Sequence, residues 1–149
     1  MKSPTAKHSV LVRIAATIGV LFGLMTVREG GAVLFVDGAA RLAAGNYVPF
    51  VLWFNFLAGF AYVVAGLGLW LRQTWAARLA IGIAISTLLV FAAFGWHVLD
   101  GGLHETRTVV AMTLRSSVWC LIAAVGWWTL LKTYPHAPGF RSGHRGAQS

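Results

Sequence analysis

Four long runs of this chain carry almost no charge, and each approaches the roughly 20 apolar residues that a helix needs to cross about 30 Å of hydrocarbon. The first is the shortest. Arg13 and Arg28 bracket only 14 uncharged residues, so the expected span of about 10–27 either starts near Val10 with Arg13 snorkelling or continues past Glu29. The second lies between Arg41 and Arg72, where Pro49 suits the first turn of a helix of about 49–71. The third runs from Leu79 to Leu99 without a charge, and the fourth covers about 108–131 with a single interruption, Arg115. The pattern predicts an all-α fold, an integral-membrane four-helix bundle over residues 1–133. The stretch 134–149, with Pro135, Pro138 and three glycines, reads as a flexible basic tail.

Composition agrees with the pattern. Charged residues are 11% of the 149, hydrophobic ones 58%, and mean hydropathy is +0.72; a soluble domain carries roughly 25% charged residues. A soluble enzyme domain and a disordered chain are excluded. So is a disulfide-stapled secreted module, since Cys120 is the only cysteine.

The net charge of +8 changes meaning once it is sorted by side. Lys2, Lys7, Arg13, Arg72, Arg78, Lys132, Arg141 and Arg145 fall on one side of the four spans. Arg28, Arg41, Arg107 and Arg115 fall on the other with all four acids, Glu29, Asp37, Asp100 and Glu105. The positive-inside rule then predicts a multi-pass membrane protein with cytoplasmic termini and the 28–47 and 100–107 connections outside. The surplus is a topology signal, so nucleic acid is not an expected partner; the lipid bilayer is, with a larger membrane complex or a homo-oligomer beside it. Met1 to Val27 is expected to stay as a helix: no small-residue cleavage site follows Met25, so it is not read as a signal peptide. Between Arg28 and Tyr47 the apolar Ala32–Phe35 and an Asp37/Arg41 pair four residues apart fit either a short interfacial helix or a plain loop.

Small residues in the second span (Ala58, Gly59, Ala61, Ala65, Gly66, Gly68) and the third (Ala80, Gly82, Ala84, Ala92, Ala93) are expected to form helix contacts, because backbones approach closely only past small side chains. Six tryptophans, at 53, 70, 75, 96, 127 and 128, fall near span ends and read as an interfacial belt.

Candidate chemistry collects toward the outer side. Asn55 lies two turns inside the second span, the third ends at His97 and Asp100, and the fourth begins at His104, Glu105 and Arg107. At helical spacing His104, Thr108, Ala111 and Arg115 share a face, with Glu105, Met112 and Trp119 beside it. Arg115, roughly 10 Å below Thr108, costs at least about 2.5 kcal/mol on insertion scales. It is expected to face the bundle and pair with an acid, Glu29 or Asp100, or with carbonyls, or else to snorkel to the outer interface; the other expectation is a ligand-facing, anion-binding arginine. His97, His104 and Glu105, with the Met25 or Met112 thioether, are candidate zinc or copper ligands, and the two imidazoles could instead ligate haem. The histidine pair matches no specific metal spacing, and HExxH is absent. No CxxC, GxSxG, Walker or dinucleotide-binding motif occurs, and Ser86 lies some three turns from His97, too far for a Ser-His pair.

The run from Gly59 to Ala80, GFAYVVAGLGLWLRQTWAARLA, resembles the glycine-rich second helix, basic turn and third-helix start of DoxX-like proteins. The resemblance implies a small four-span bacterial inner-membrane protein, in a family with some members associated with sulfur or quinone redox systems. It carries no catalytic residue onto this chain. The expectation is therefore a membrane protein that leans away from being an enzyme: an accessory or assembly subunit, or a small-ligand or metal-handling protein. The rival is a membrane oxidoreductase component that binds haem or quinone at the outer histidines.

Overall fold

The computed structural model describes residues 4–36 and 38–132, with side chains from Ser9 onward. Helices α1 (Pro4–Phe35), α2 (Ala39–Ala44), α3 (Pro49–Trp70), α4 (Thr74–Leu99) and α5 (Thr106–Gly126) follow in order, and α5 continues into one π-helical turn, Trp127–Leu131. Four stretches are long and apolar enough to cross a membrane: Ser9–Phe35, Pro49–Trp70, Thr74–Leu99 and Thr106–Leu131. The chain is thus a small polytopic membrane protein by its architecture, and no strand occurs among the described residues.

Two boundaries move relative to the sequence expectation, for one physical reason. Helix α1 runs through Arg28 and Glu29 to Phe35, and α4 begins at Thr74, ahead of Arg78. All three charged side chains are exposed on the helix surface, so none interrupts the backbone ladder. Helix α1 ends where the orphaned carbonyls of its last turn find a donor: Arg41 gives Nε–H to the Val33 oxygen at 3.1 Å and Nη2–H to the Leu34 oxygen at 2.9 Å. The expected Asp37/Arg41 pair involves a residue outside those described, as do the tail and its histidines, His136 and His144. The short helix between the spans exists as α2, none of whose residues is buried.

Sequential helices are neighbours, and α5 closes the ring against α1. The closest approach is between α1 and α3, which run antiparallel with glycine against glycine. A Cβ on Gly23 would stand 2.8 Å from the Gly59 carbonyl oxygen, and one on Gly66 would stand 2.8 Å from the Val20 nitrogen. This is small-residue packing of the kind that lipid permits, and half of it comes from α1, whose Gly19 and Gly23 are spaced by four. In the second span Gly59, Ala65, Gly66 and Gly68 are buried as expected. In the third, Ala80 and Ala84 are buried, whereas Gly82, Ala92 and Ala93 face outward.

The apolar interior is split in two. One cluster, including Val12, Ala16, Leu69, Ala80, Ile122 and Leu130, fills the half nearer the termini. A smaller one, Val48, Val51, Phe94 and Met112, fills the half nearer the 36–48 and 100–105 connections, here the loop end.

Candidate functional site

The edge of the larger cluster that faces the loop end, to which Tyr62 and Trp119 belong, is located by counting from the loop end of each helix. Phe22 lies 13 residues from Phe35, Tyr62 lies 13 from Pro49, Thr87 lies 12 from Leu99 and Trp119 lies 13 from Thr106. At 1.5 Å per residue all four stand about 18–20 Å along their helices, near the middle of a membrane-crossing length. Tyr62, Thr87 and Trp119 are fully buried. The Tyr62 and Trp119 rings lie with centroids 4.5 Å apart, tilted by 37°, and Phe22 flanks Tyr62 at 6.2 Å. Six of the seven tryptophans are 46–70% exposed at the span ends, as an interfacial belt requires; Trp119 is the exception.

Arg115 stands one turn toward the loop end from Trp119, about 14 Å along α5. It is only 8% exposed. Its guanidinium carbon lies 5.8 Å from the centre of the Phe22 ring, and one Nη donates a long contact of 3.7 Å to the Met112 sulfur. Its Nε–H has no acceptor. Neither Glu29 nor Asp100 hydrogen-bonds or ion-pairs with it; Glu29, exposed on α1, and Tyr62 lie within electrostatic range. The ion pair expected from the sequence is therefore not formed. Asp100 is exposed as the residue after the last turn of α4, a full membrane leaflet from the guanidinium level on an opposite-running helix end.

The arginine has company. Buried polar atoms without a partner include Tyr62 Oη, Thr87 Oγ1, Ser116 Oγ, Trp119 Nε1 and, two turns nearer the loop end on α3, Asn55 Oδ1. The hydroxyls of Tyr62 and Thr87 approach each other without reaching hydrogen-bond geometry. In a hydrocarbon interior each unsatisfied polar group costs on the order of 1–3 kcal/mol, so such a concentration in one layer is itself a functional signal. Arg115 Nε–H and Trp119 Nε1–H can only donate. The layer is thus rich in donors, carries one positive charge, and among the described residues has no carboxylate in contact with it.

The loop-end residues are arranged differently from the sequence expectation. Helix α5 starts at Thr106, so His104 and Glu105 precede it and do not continue the Arg115 face. The Glu105 side chain accepts the Asn46 backbone N–H at 3.0 Å and thereby ties the two loop-end connections together. His104 is exposed, with Nδ1 3.1 Å from the Gly102 oxygen and its ring 6.2 Å from Phe94. His97 is half-buried, edge-on to Phe50 at 6.4 Å, and packs against Gly102. Arg107 is exposed in the first turn of α5. Among the described residues no three His, Cys, Asp or Glu side chains are grouped to hold a metal ion.

Sequence reasoning found Arg115 and Asn55 but passed over Tyr62, Thr87 and Ser116 and gave Trp119 only a neighbouring place. The available signal was depth: each is a polar-capable side chain near the centre of an otherwise apolar run. No protein-family model matches the chain, and no curated protein or solved structure is significantly similar to it.

Proposed function

We propose that this small polytopic membrane protein binds a small anionic ligand inside the bundle, on the polar layer centred on Arg115. One observation carries the reading: a buried guanidinium with a free Nε–H and no acid against it. A cation at this depth favours partners that return the lost hydration, and an oxyanion satisfies both its charge and its donors. Tyr62, Ser116, Thr87 and Trp119 offer further hydrogen bonds in the same layer. On this reading the outer histidines and Glu105 organise the connections, and the protein is a binding protein of the inner membrane with cytoplasmic termini.

Nitrogen-15 NMR of arginine-labelled full-length protein tests the reading. The Arg115 Nε resonance, assigned by its loss in Arg115→Gln, moves on titration with acetate, inorganic phosphate or a long-chain carboxylate. A resonance that none of the three displaces overturns the proposal.

A further inference from the structure

The site is shut toward the loop end. Met112 and Phe94, both essentially inaccessible, form with Val48 and Val51 an apolar plug one turn beyond Arg115. On the other side lies the larger apolar cluster with Tyr62 and Trp119. A hydrated anion arriving from either aqueous face has to cross one of these clusters. The flank is different. Helices α1 and α5 are joined by no direct connection and make the sparsest contact of any neighbouring spans. Arg115 lies on that flank, because the ring it faces, Phe22, belongs to α1 and is itself only half-buried. Its helical neighbours four before and three after, Ala111 and Val118, are exposed and half-buried. Beside Arg115 the seam therefore offers the small Ala111 and the Phe22 ring, with lipid outside.

Taking Arg115 as an anion site, as proposed above, we infer that its ligand comes from the bilayer through the α1–α5 seam and is a single-chain amphiphile with a carboxylate head, such as a fatty acid. The carboxylate occupies the Arg115 Nε–H, displacing the Phe22 ring from the guanidinium, while the alkyl chain stays in the lipid against apolar side chains that α1 and α5 leave exposed, such as Ile18, Leu114 and Leu121. A head of one charge suits a site with one uncompensated cation. A phosphate carrying two charges would leave one unpaired in hydrocarbon. Glu29, two turns along α1 from Phe22, is exposed and lies within electrostatic range of Arg115.

The test uses full-length protein in phosphatidylcholine vesicles and electron paramagnetic resonance of stearic acid bearing a nitroxide near its carboxyl group, at alkaline pH where the head is ionised. The expected result is a motionally restricted component that the methyl ester of the same probe shows about tenfold more weakly, and that Arg115→Gln weakens about tenfold, the worth of one charge-assisted hydrogen bond. Phe22→Ala, which leaves the arginine in place, retains the restricted acid and exchanges it faster, and a far-ultraviolet circular dichroism spectrum of Arg115→Gln equal to wild type tells loss of the site from a folding defect. Equal restriction of acid and ester, or an unchanged component in Arg115→Gln, overturns the inference. If acetate or phosphate displaces the Arg115 Nε resonance while the spin-labelled acid is not restricted, the anion site stands and its lipidic ligand does not.

Discussion

Replacing Arg115 by methionine distinguishes a structural arginine from a ligand-binding one through the sign of the stability change. Methionine keeps the length and removes the charge. Arginine near the centre of a spanning helix costs about 2.5–3.5 kcal/mol on insertion scales. Against this the wild-type side chain recovers a cation–π contact with Phe22 at 5.8 Å, worth about 0.5–2 kcal/mol, and a 3.7 Å contact to the Met112 sulfur that is long and weak. The balance leaves Arg115 a net cost, so Arg115→Met raises the unfolding free energy of ligand-free protein by about 1–2 kcal/mol. A buried arginine held in a good ion pair behaves in the opposite way: losing it strands the acid and costs about 3–5 kcal/mol. The assay is a denaturant titration of delipidated protein in mixed micelles, followed by far-ultraviolet circular dichroism. A loss of 2 kcal/mol or more in Arg115→Met refutes the reasoning, because it means that the folded bundle satisfies the guanidinium. Saturating ligand reverses the order, since a ligand at 100 times its Kd adds about 2.7 kcal/mol to wild type alone.

The α1–α3 seam predicts that Gly66→Val, whose Cβ would press 2.8 Å from the Val20 nitrogen and 2.9 Å from the Ala16 oxygen, destabilises by about 1–3 kcal/mol in the same titration. Gly82→Ala, with nothing within 4 Å, is neutral or gains up to about 1 kcal/mol from helix propensity. Arg41→Gln frees the Val33 and Leu34 carbonyls and weakens the end of α1 by about 1–2 kcal/mol, read as faster amide hydrogen exchange at Phe35 and Val36 with the rest of α1 unchanged. For topology, single cysteines at Gln73 and Leu103, in a Cys120→Ala background, react with an impermeant maleimide from opposite sides: Leu103 from outside intact cells and Gln73 only after lysis. The reverse labelling overturns the assigned orientation.

Depth was legible in the chain and company was not. The length of each uncharged run located the four spans, and a lone arginine within the last of them marked the residue on which the site turns, because charge in hydrocarbon is costly wherever the helix packs. Of the alternatives that the chain leaves for it, the ion pair is not formed. Glu29 and Asp100 are the nearest acids by position along neighbouring spans, yet Glu29 turns to the surface and Asp100 follows the last turn of α4 at the loop end, about 14 Å from the level of Arg115. Helical phase decides both, and the phase of a helix that is apolar on every side cannot be read from an amphipathic stripe. The same ambiguity hid Tyr62 and Thr87, which sit among apolar neighbours with no local pattern to say that they point inward. It also misassigned Gly82, Ala92 and Ala93, small residues that face outward, while the glycines of α1 that do the packing lay in the span whose end was least certain.

By itself the sequence determined the solvent, the number of crossings and the price of Arg115, since these follow from transfer free energies that depend on residue type and run length. Only the tertiary structure decided which polar groups share a layer. That layer arises because glycine-to-glycine contact fixes the rotation of α1 against α3, turning Phe22 and Tyr62 toward α5. The ring closes around Arg115 and Trp119 with donors facing inward and no carboxylate to meet them.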